Sequence, residues 1–169
     1  MLILETDRLR LRTLTPEDAE FMLRLLNEPS FIQNIGDRGV RTVDNARSYI
    51  LNGPVASYEK HGFGLWLVEV KESGAPIGIC GLLKRDALDD IELGYALTPE
   101  YWSKGYALES ASAVMAYARE ELGLKRVAAI TDTGNVSSIR LLEKIGFKYE
   151  KLIRLSDDAP ELKLFASEL

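Results

Sequence analysis

Residues 91–117 read IELGYALTPEYWSKGYALESASAVMAY, and they constrain the fold more than any other stretch of the chain. From Ile91 to Leu97 the bulky residues Ile91, Leu93, Tyr95 and Leu97 alternate with Glu92, Gly94 and Ala96. A period of two predicts a strand with one bulky face and one small face that carries a carboxylate. A small-residue face lets a ligand or another backbone approach closely. A connection holding Pro99 and Gly105 follows. From Tyr106 the spacing of Leu108, Ala111, Met115, Ala118 and Leu122 predicts a helix, which Gly123 ends. Lys125–Thr131, with Val-Ala-Ala-Ile inside it, predicts a buried strand. Strand, helix and strand in this order imply a right-handed crossover. The connection delivers Trp102–Ala107 to the helix start, where backbone N–H groups lack partners and carry partial positive charge. Such an end binds phosphate when no side chain is in the way, and Gly105 removes one.

The rest of the chain supplies a sheet and helices to pack on it. Arg8, Arg10 and Arg12 alternate with Leu9 and Leu11, which predicts a half-buried strand with a basic outer face. Thr15-Pro16-Glu17-Asp18 is a helix start, and Ala19, Met22, Leu25 and Leu26 form its apolar stripe up to about Pro29. Residues 30–41 read as loop. A second helix is predicted after Thr42, with Val43, Ala46, Tyr49 and Ile50 on one face, a break at Gly53-Pro54 and a separate turn over Val55–Lys60. Gly64–Val70 and Pro76–Leu83 read as a hairpin about Lys71–Ala75, and the charged turn Lys84–Asp90 leads into the Ile91 strand. Short turns between these three strands imply an antiparallel meander. Asn135 opens a helix with Ile139, Leu142 and Ile145 inward, and Gly146 stops it. Phe147–Leu155 and Leu162–Ala166 read as the last two strands. Without repeats or a linker, residues 1–169 are expected to form one domain, long enough for a sizeable core.

Composition narrows the function. Hydrophobic content of 46% and charged content of 28% are those of a soluble globular protein. No secretory signal and no apolar run of about 18 residues is present, so no membrane span is expected. One cysteine, Cys80, cannot form an internal disulfide and points to a reducing, cytoplasmic setting. It falls inside a predicted strand, where a core role is expected. One histidine, His61, argues against a His-based metal site or a Ser-His-Asp triad, and no metal is expected. A net charge of −5 argues against non-specific nucleic-acid binding. Residues 1–97 carry 11 Lys/Arg against 15 Asp/Glu, whereas residues 98–151 carry 8 against 7. The stretch with the phosphate-type helix end is thus the least acidic, and the first half would favour cationic partners.

Two motifs carry a family resemblance. Trp102-x-x-Gly105-x-Ala107 resembles motif A of the GNAT superfamily of acetyl-CoA-dependent N-acetyltransferases, in the form found in its RimJ/RimL-like branch. Ser103 stands where that branch usually has Gly. Asn135-Val-Ser-Ser138-Ile-Arg-Leu-Leu-Glu-Lys-Ile-Gly146-Phe147 resembles motif B and follows at the family's spacing of roughly 30 residues. The opening string Glu5-Thr-Asp-Arg-Leu-Arg-Leu-Arg12 is similar to a common opening of RimJ/RimL-like sequences. Taken singly, Asn135 is an ordinary helix cap and Gly146 an ordinary helix stop; their joint occurrence in this order is what points to the family.

The resemblance implies an α+β (α/β) fold: a central mixed, mostly antiparallel twisted sheet with helices on both faces. It implies transfer of acetyl from acetyl-CoA to a primary amine, without a metal, by direct transfer in a ternary complex. The backbone of Ala96, Leu97 and Thr98 would bind the pantetheine arm, with an N–H near Leu97 at the oxyanion. The N–H groups of Ser103, Lys104, Gly105, Tyr106 and Ala107 would hold the pyrophosphate, with the Lys104 side chain either a phosphate contact or solvated; Trp102 would bind the cofactor beside them, and Asn135 would contact the pantetheine. Glu92 is the candidate base, or else the ion-pair partner of a neighbouring Lys or Arg. Family members often use a Tyr to protonate the leaving thiolate, but that place is Leu142 here, and Ser138 is the expected substitute. The bland reading of Ser138 is a first-turn serine bonded to the backbone. Acceptor specificity is expected between about Asn27 and His61. A protein N-terminal α-amine or a small-molecule amine is the expected acceptor, in a monomer or homodimer. The missing Tyr and the Ser at 103 keep open a catalytically weak acyl-CoA-binding or regulatory module on the same fold.

Overall fold

The computed structural model describes residues 1–169. Eight strands form one mixed sheet in the order β1-β2-β3-β4-β5-β6-β8-β7. In chain order they are β1 (Leu2–Glu5), β2 (Leu9–Arg12), β3 (Leu65–Val70), β4 (Pro76–Leu83), β5 (Glu92–Leu97), β6 (Arg126–Asp132), β7 (Lys148–Ile153) and β8 (Leu162–Glu168). Every neighbouring pair is antiparallel except β5 and β6. Those two are parallel and pair in register only at Glu92 and Ala128, where Ala128 N–H donates to the Ile91 carbonyl at 2.8 Å. The sheet is therefore two antiparallel halves that touch at one end and are unpaired at the other.

The helices are α1 (Ala19–Leu26), α2 (Pro29–Asn34), α3 (Val43–Ile50), α4 (Ala56–His61), α5 (Tyr106–Glu120) and α6 (Val136–Lys144). They cover both faces, and each face has its own core. Ala111, Val114 and Met115 of α5 and Leu142 of α6 pack with Trp66, Cys80 and Val127 on one side. On the other, Met22, Leu25, Phe31, Ala46 and Ile50 of α1–α3 pack over Leu67 and Ile79. No helix is long and apolar enough to cross a membrane.

Two local expectations fail for identifiable reasons. Residues 29–34 form α2 instead of ending a helix, because Pro29 is its first residue, where the missing N–H costs nothing. The Gly53-Pro54 pair does not break the chain direction. A π-helical turn over Leu51–Val55 carries α3 into α4, and the wider turn accommodates the bond that buried Pro54 cannot donate.

Candidate active site

The split between β5 and β6 opens into a cavity of about 660 Å³. All the site residues expected from sequence line it except Thr98 and Lys104. Three groups of backbone and side-chain atoms define its chemistry.

The first is the open edge of β5. Thr98 N–H donates to the Ile77 carbonyl of β4 at 2.9 Å. Hydrogen bonding alternates along an antiparallel strand, so Thr98 and Ala96 turn their backbone groups to β4 while Tyr95 and Leu97 turn theirs to the gap. Of Ala96, Leu97 and Thr98, only Leu97 therefore presents backbone to the cavity, and Trp102 Nε1 already takes its carbonyl at 2.9 Å. Ala96 faces the cavity with its methyl side chain, while Thr98 is fully buried beside β4.

The second is the start of α5. Its N-cap is Gly105, in the left-handed region at φ 83°, and no side chain caps the helix. By contrast Thr42 caps α3, and Asn135 caps α6. The free N–H groups of a 15-residue helix thus open toward the cavity, which fits a diphosphate. Ser103, at φ 60°, is the one non-glycine residue with positive φ, so glycine would be the easier residue there. The loop is tied down by Arg8. Its Nη1 donates to the Lys104 carbonyl at 3.0 Å, and its guanidinium lies 4.4 Å from the Tyr106 ring centroid. Glu109 of α5 holds Arg8 at 2.7 Å and also accepts from Thr6. The Lys104 side chain is exposed and lies outside the cavity lining.

The third is a set of side chains across the gap. Glu92 is 2% exposed and takes Arg85 Nε on both oxygens, at 2.9 and 2.8 Å. Burial pushes its carboxyl above the usual range, against hydrogen bonding and charge from Arg85 and the charge of Arg38. Ser138 Oγ lies 2.7 Å from Tyr95 Oη and so joins α6 to β5. Burial pushes the Tyr95 phenol up to about 12. Asn135 Oδ1 accepts the Ser138 N–H at 3.2 Å, so the cap is real, and its Nδ2 has no partner in the chain.

Three cavity residues were not singled out in the sequence. Tyr95 reads there only as part of a bulky strand face; its opposition to Ser138 requires the crossover to be closed. Arg85 lies in a charged turn seven residues before Glu92, a spacing that a hairpin-like return brings together. Arg38 lies in a stretch read as loop, where no pattern marks it.

Comparison with known proteins agrees with this geometry. An "Acetyltransferase (GNAT) domain" model matches residues 8–148. The N-acetyltransferase YoaA of Bacillus subtilis (strain 168) is 35% identical over 154 residues, 90% of this chain and 86% of its own. An acetyltransferase from Agrobacterium tumefaciens superposes with a TM-score of 0.83 at 25% identity, covering 98% of this chain and 94% of the other. RimL, the ribosomal L7/L12 alpha-N-protein acetyltransferase, in complex with coenzyme A, superposes with a TM-score of 0.86 at 15% identity, covering 100% and 98%. The chain thus shares its family and its overall fold with acetyltransferases along nearly its whole length, and the protein is an acetyltransferase belonging to the GNAT family.

Proposed function

We propose that the protein transfers the acetyl group of acetyl-CoA to a primary amine by direct transfer in a ternary complex, with Glu92 as base and Ser138 as acid. The split sheet carries this reading: one cavity gathers the buried Glu92 carboxylate, the uncapped start of α5 and the Ser138–Tyr95 pair. Bound acetyl-CoA supplies a thioester-activated acyl group, so the protein contributes positioning and proton transfer. Backbone N–H groups of residues 103–107 would hold the diphosphate, with Lys104 reaching it only from the surface. The open backbone edge at Tyr95 and Leu97, together with Asn135 Nδ2, would hold the pantetheine arm.

The amine attacks in its neutral form, through the nitrogen lone pair, and sheds one proton as the amide forms. A new N–C bond forms, the C–S bond breaks, one proton passes from nitrogen to Glu92 and one returns to sulfur through Ser138. A carboxyl raised by burial is a better base than an ordinary one at neutral pH. The Leu97 N–H would donate to the acyl oxygen. An α-amine, of a protein N-terminus or a small molecule, is the easier acceptor. Its pKa is about 7.7–8 against about 10.4 for lysine, so far more of it is neutral at pH 7. Cys80 is fully buried and its thiol is pushed up to about 12 by burial, which supports transfer without an acyl-enzyme. The proposed setting is the cytoplasm, as a monomer or homodimer.

Melting temperature with and without acetyl-CoA tests the cofactor site. At about a hundred times the dissociation constant the ligand adds roughly 2.7 kcal/mol, a rise of about 5–10 °C. Gly105→Glu should abolish the rise. Glu92→Gln should keep it while lowering CoA release with any amine by about a hundredfold or more. A rise without CoA release in the wild-type protein would instead mark an acyl-CoA-binding module.

A further inference from the structure

The first half of the chain is acidic, but the acceptor end of the cavity is not. Its charged lining, away from the start of α5 and from α6, is Arg38, Arg85 and Glu92. Arg38 makes no hydrogen bond or ion pair. The acid beside it in the chain, Asp37, is already held by Arg41 at 2.5 Å and by the Gly39 N–H at 2.8 Å. Arg85 spends only Nε on Glu92, which leaves both terminal nitrogens of its fork without a partner in the chain. Two guanidiniums therefore face one carboxylate. The remaining wall at this end is mostly apolar, formed by Phe31, Ile35, Tyr49, Leu65 and Leu83, with Ser30 and Asn34 of α2 among them.

We propose that the acceptor carries a carboxylate as well as its amine, as an amino acid with an apolar body does, and that Arg38 and the free edge of Arg85 receive that carboxylate. This rests on the acetyl-transfer reading of the same cavity and names its substrate class. A guanidinium fork matches a carboxylate in two parallel bonds. A polyamine brings only positive charge to a wall that already has an excess of it, so the cationic preference expected from the sequence is reversed. With the carboxylate on the arginines, the amine of the same molecule stays near Glu92, the one acid of this wall.

CoA release at saturating acetyl-CoA would be measured with leucine and phenylalanine, their amides, the corresponding decarboxylated amines, phosphoethanolamine and spermidine. The free acids should exceed their amides in kcat/KM by about tenfold or more, the worth of a charge-assisted bond. Arg38→Gln should bring that ratio toward one and keep the acetyl-CoA melting shift; Arg38→Lys should keep part of the ratio. Amides or spermidine turned over as well as the acids, or a ratio unmoved in Arg38→Gln, would overturn the inference. So would preference for phosphoethanolamine, which would make the recognised anion a phosphate. An acetyl-CoA shift with turnover only of neutral or cationic amines sinks this inference alone. Absence of both shift and turnover sinks the transferase reading beneath it.

Discussion

Ser138 is the third residue of α6, a place where a serine hydroxyl commonly bonds back to the helix start. Here Asn135 has taken over that bond through its own side chain, and the Ser138 hydroxyl meets Tyr95 across the gap instead. The two oxygens can bond in either sense. A phenol held near 12 by burial stays protonated throughout the physiological range, so Tyr95 can always donate. When it does, the Ser138 proton is left to point into the cavity, toward the proposed leaving sulfur. Ser138→Ala should then lower kcat by about a hundredfold, and Tyr95→Phe by about tenfold, with the KM for acetyl-CoA little changed in either. If Tyr95 acts through Ser138, the double variant should be no slower than Ser138→Ala alone. Steady-state rates that multiply across the two variants would show that Tyr95 acts independently.

At the scale of elements, the start of α5 is only as useful as the loop that presents it. Thr6 and Arg8, between β1 and β2, hold that loop through Glu109 one turn into the helix. Burial raises the Glu109 carboxyl, but hydrogen bonds from Thr6 and Arg8 outweigh it and hold the group below the usual carboxylate range. Stability from a lowered carboxyl is complete above its unfolded pKa and is lost as pH falls through the lower folded value. Glu109→Gln should therefore cost about 1 kcal/mol at neutral pH, an amount reduced by the half-exposure of Arg8. It should also flatten the acid limb of the melting temperature plotted against pH, and a limb as steep as in the wild-type protein would contradict this role. The elements themselves were largely legible, because β5, α5, β6 and α6 each announce their period and their caps locally. The Arg8–Glu109 latch was not, since it joins residues 101 apart and Arg8 reads from its own strand as a solvated charge. α2 was missed because six residues hold too little period to outweigh a Pro read as a terminator. The π-helical turn was missed because a Gly-Pro pair ends most helices, whereas here the run continues, with Ala46 and Ile50 of α3 packed in one core and Tyr58 of α4 packed against the other.

For the molecule as a whole, the cavity exists because two antiparallel halves of one sheet are joined at one end and parted at the other. Backbone pairing at Glu92 and Ala128 supplies little of that joint. Arg126, at the start of β6, adds side-chain bonds across it. It binds Asp90 just before β5 at 3.0 Å, Glu150 of β7 at 2.5 Å and Glu168 of β8 at 2.8 Å. One guanidinium thus ties the first half of the sheet to all three strands of the second. Three carboxylates around one cation repel one another once it is removed, so Arg126→Met exchanges a closed network for uncompensated negative charge. These groups are partly exposed, so the network weakens with ionic strength. The wild-type melting temperature should fall by a few degrees as salt is raised from about 0.05 to about 0.5 M. In Arg126→Met it should start lower and rise over the same range, because salt then screens repulsion. The sign of that slope separates a clamp from a bystander: a variant that melts like the wild-type protein at low salt, or falls in parallel with it, would leave the joint to the backbone and to the two cores alone.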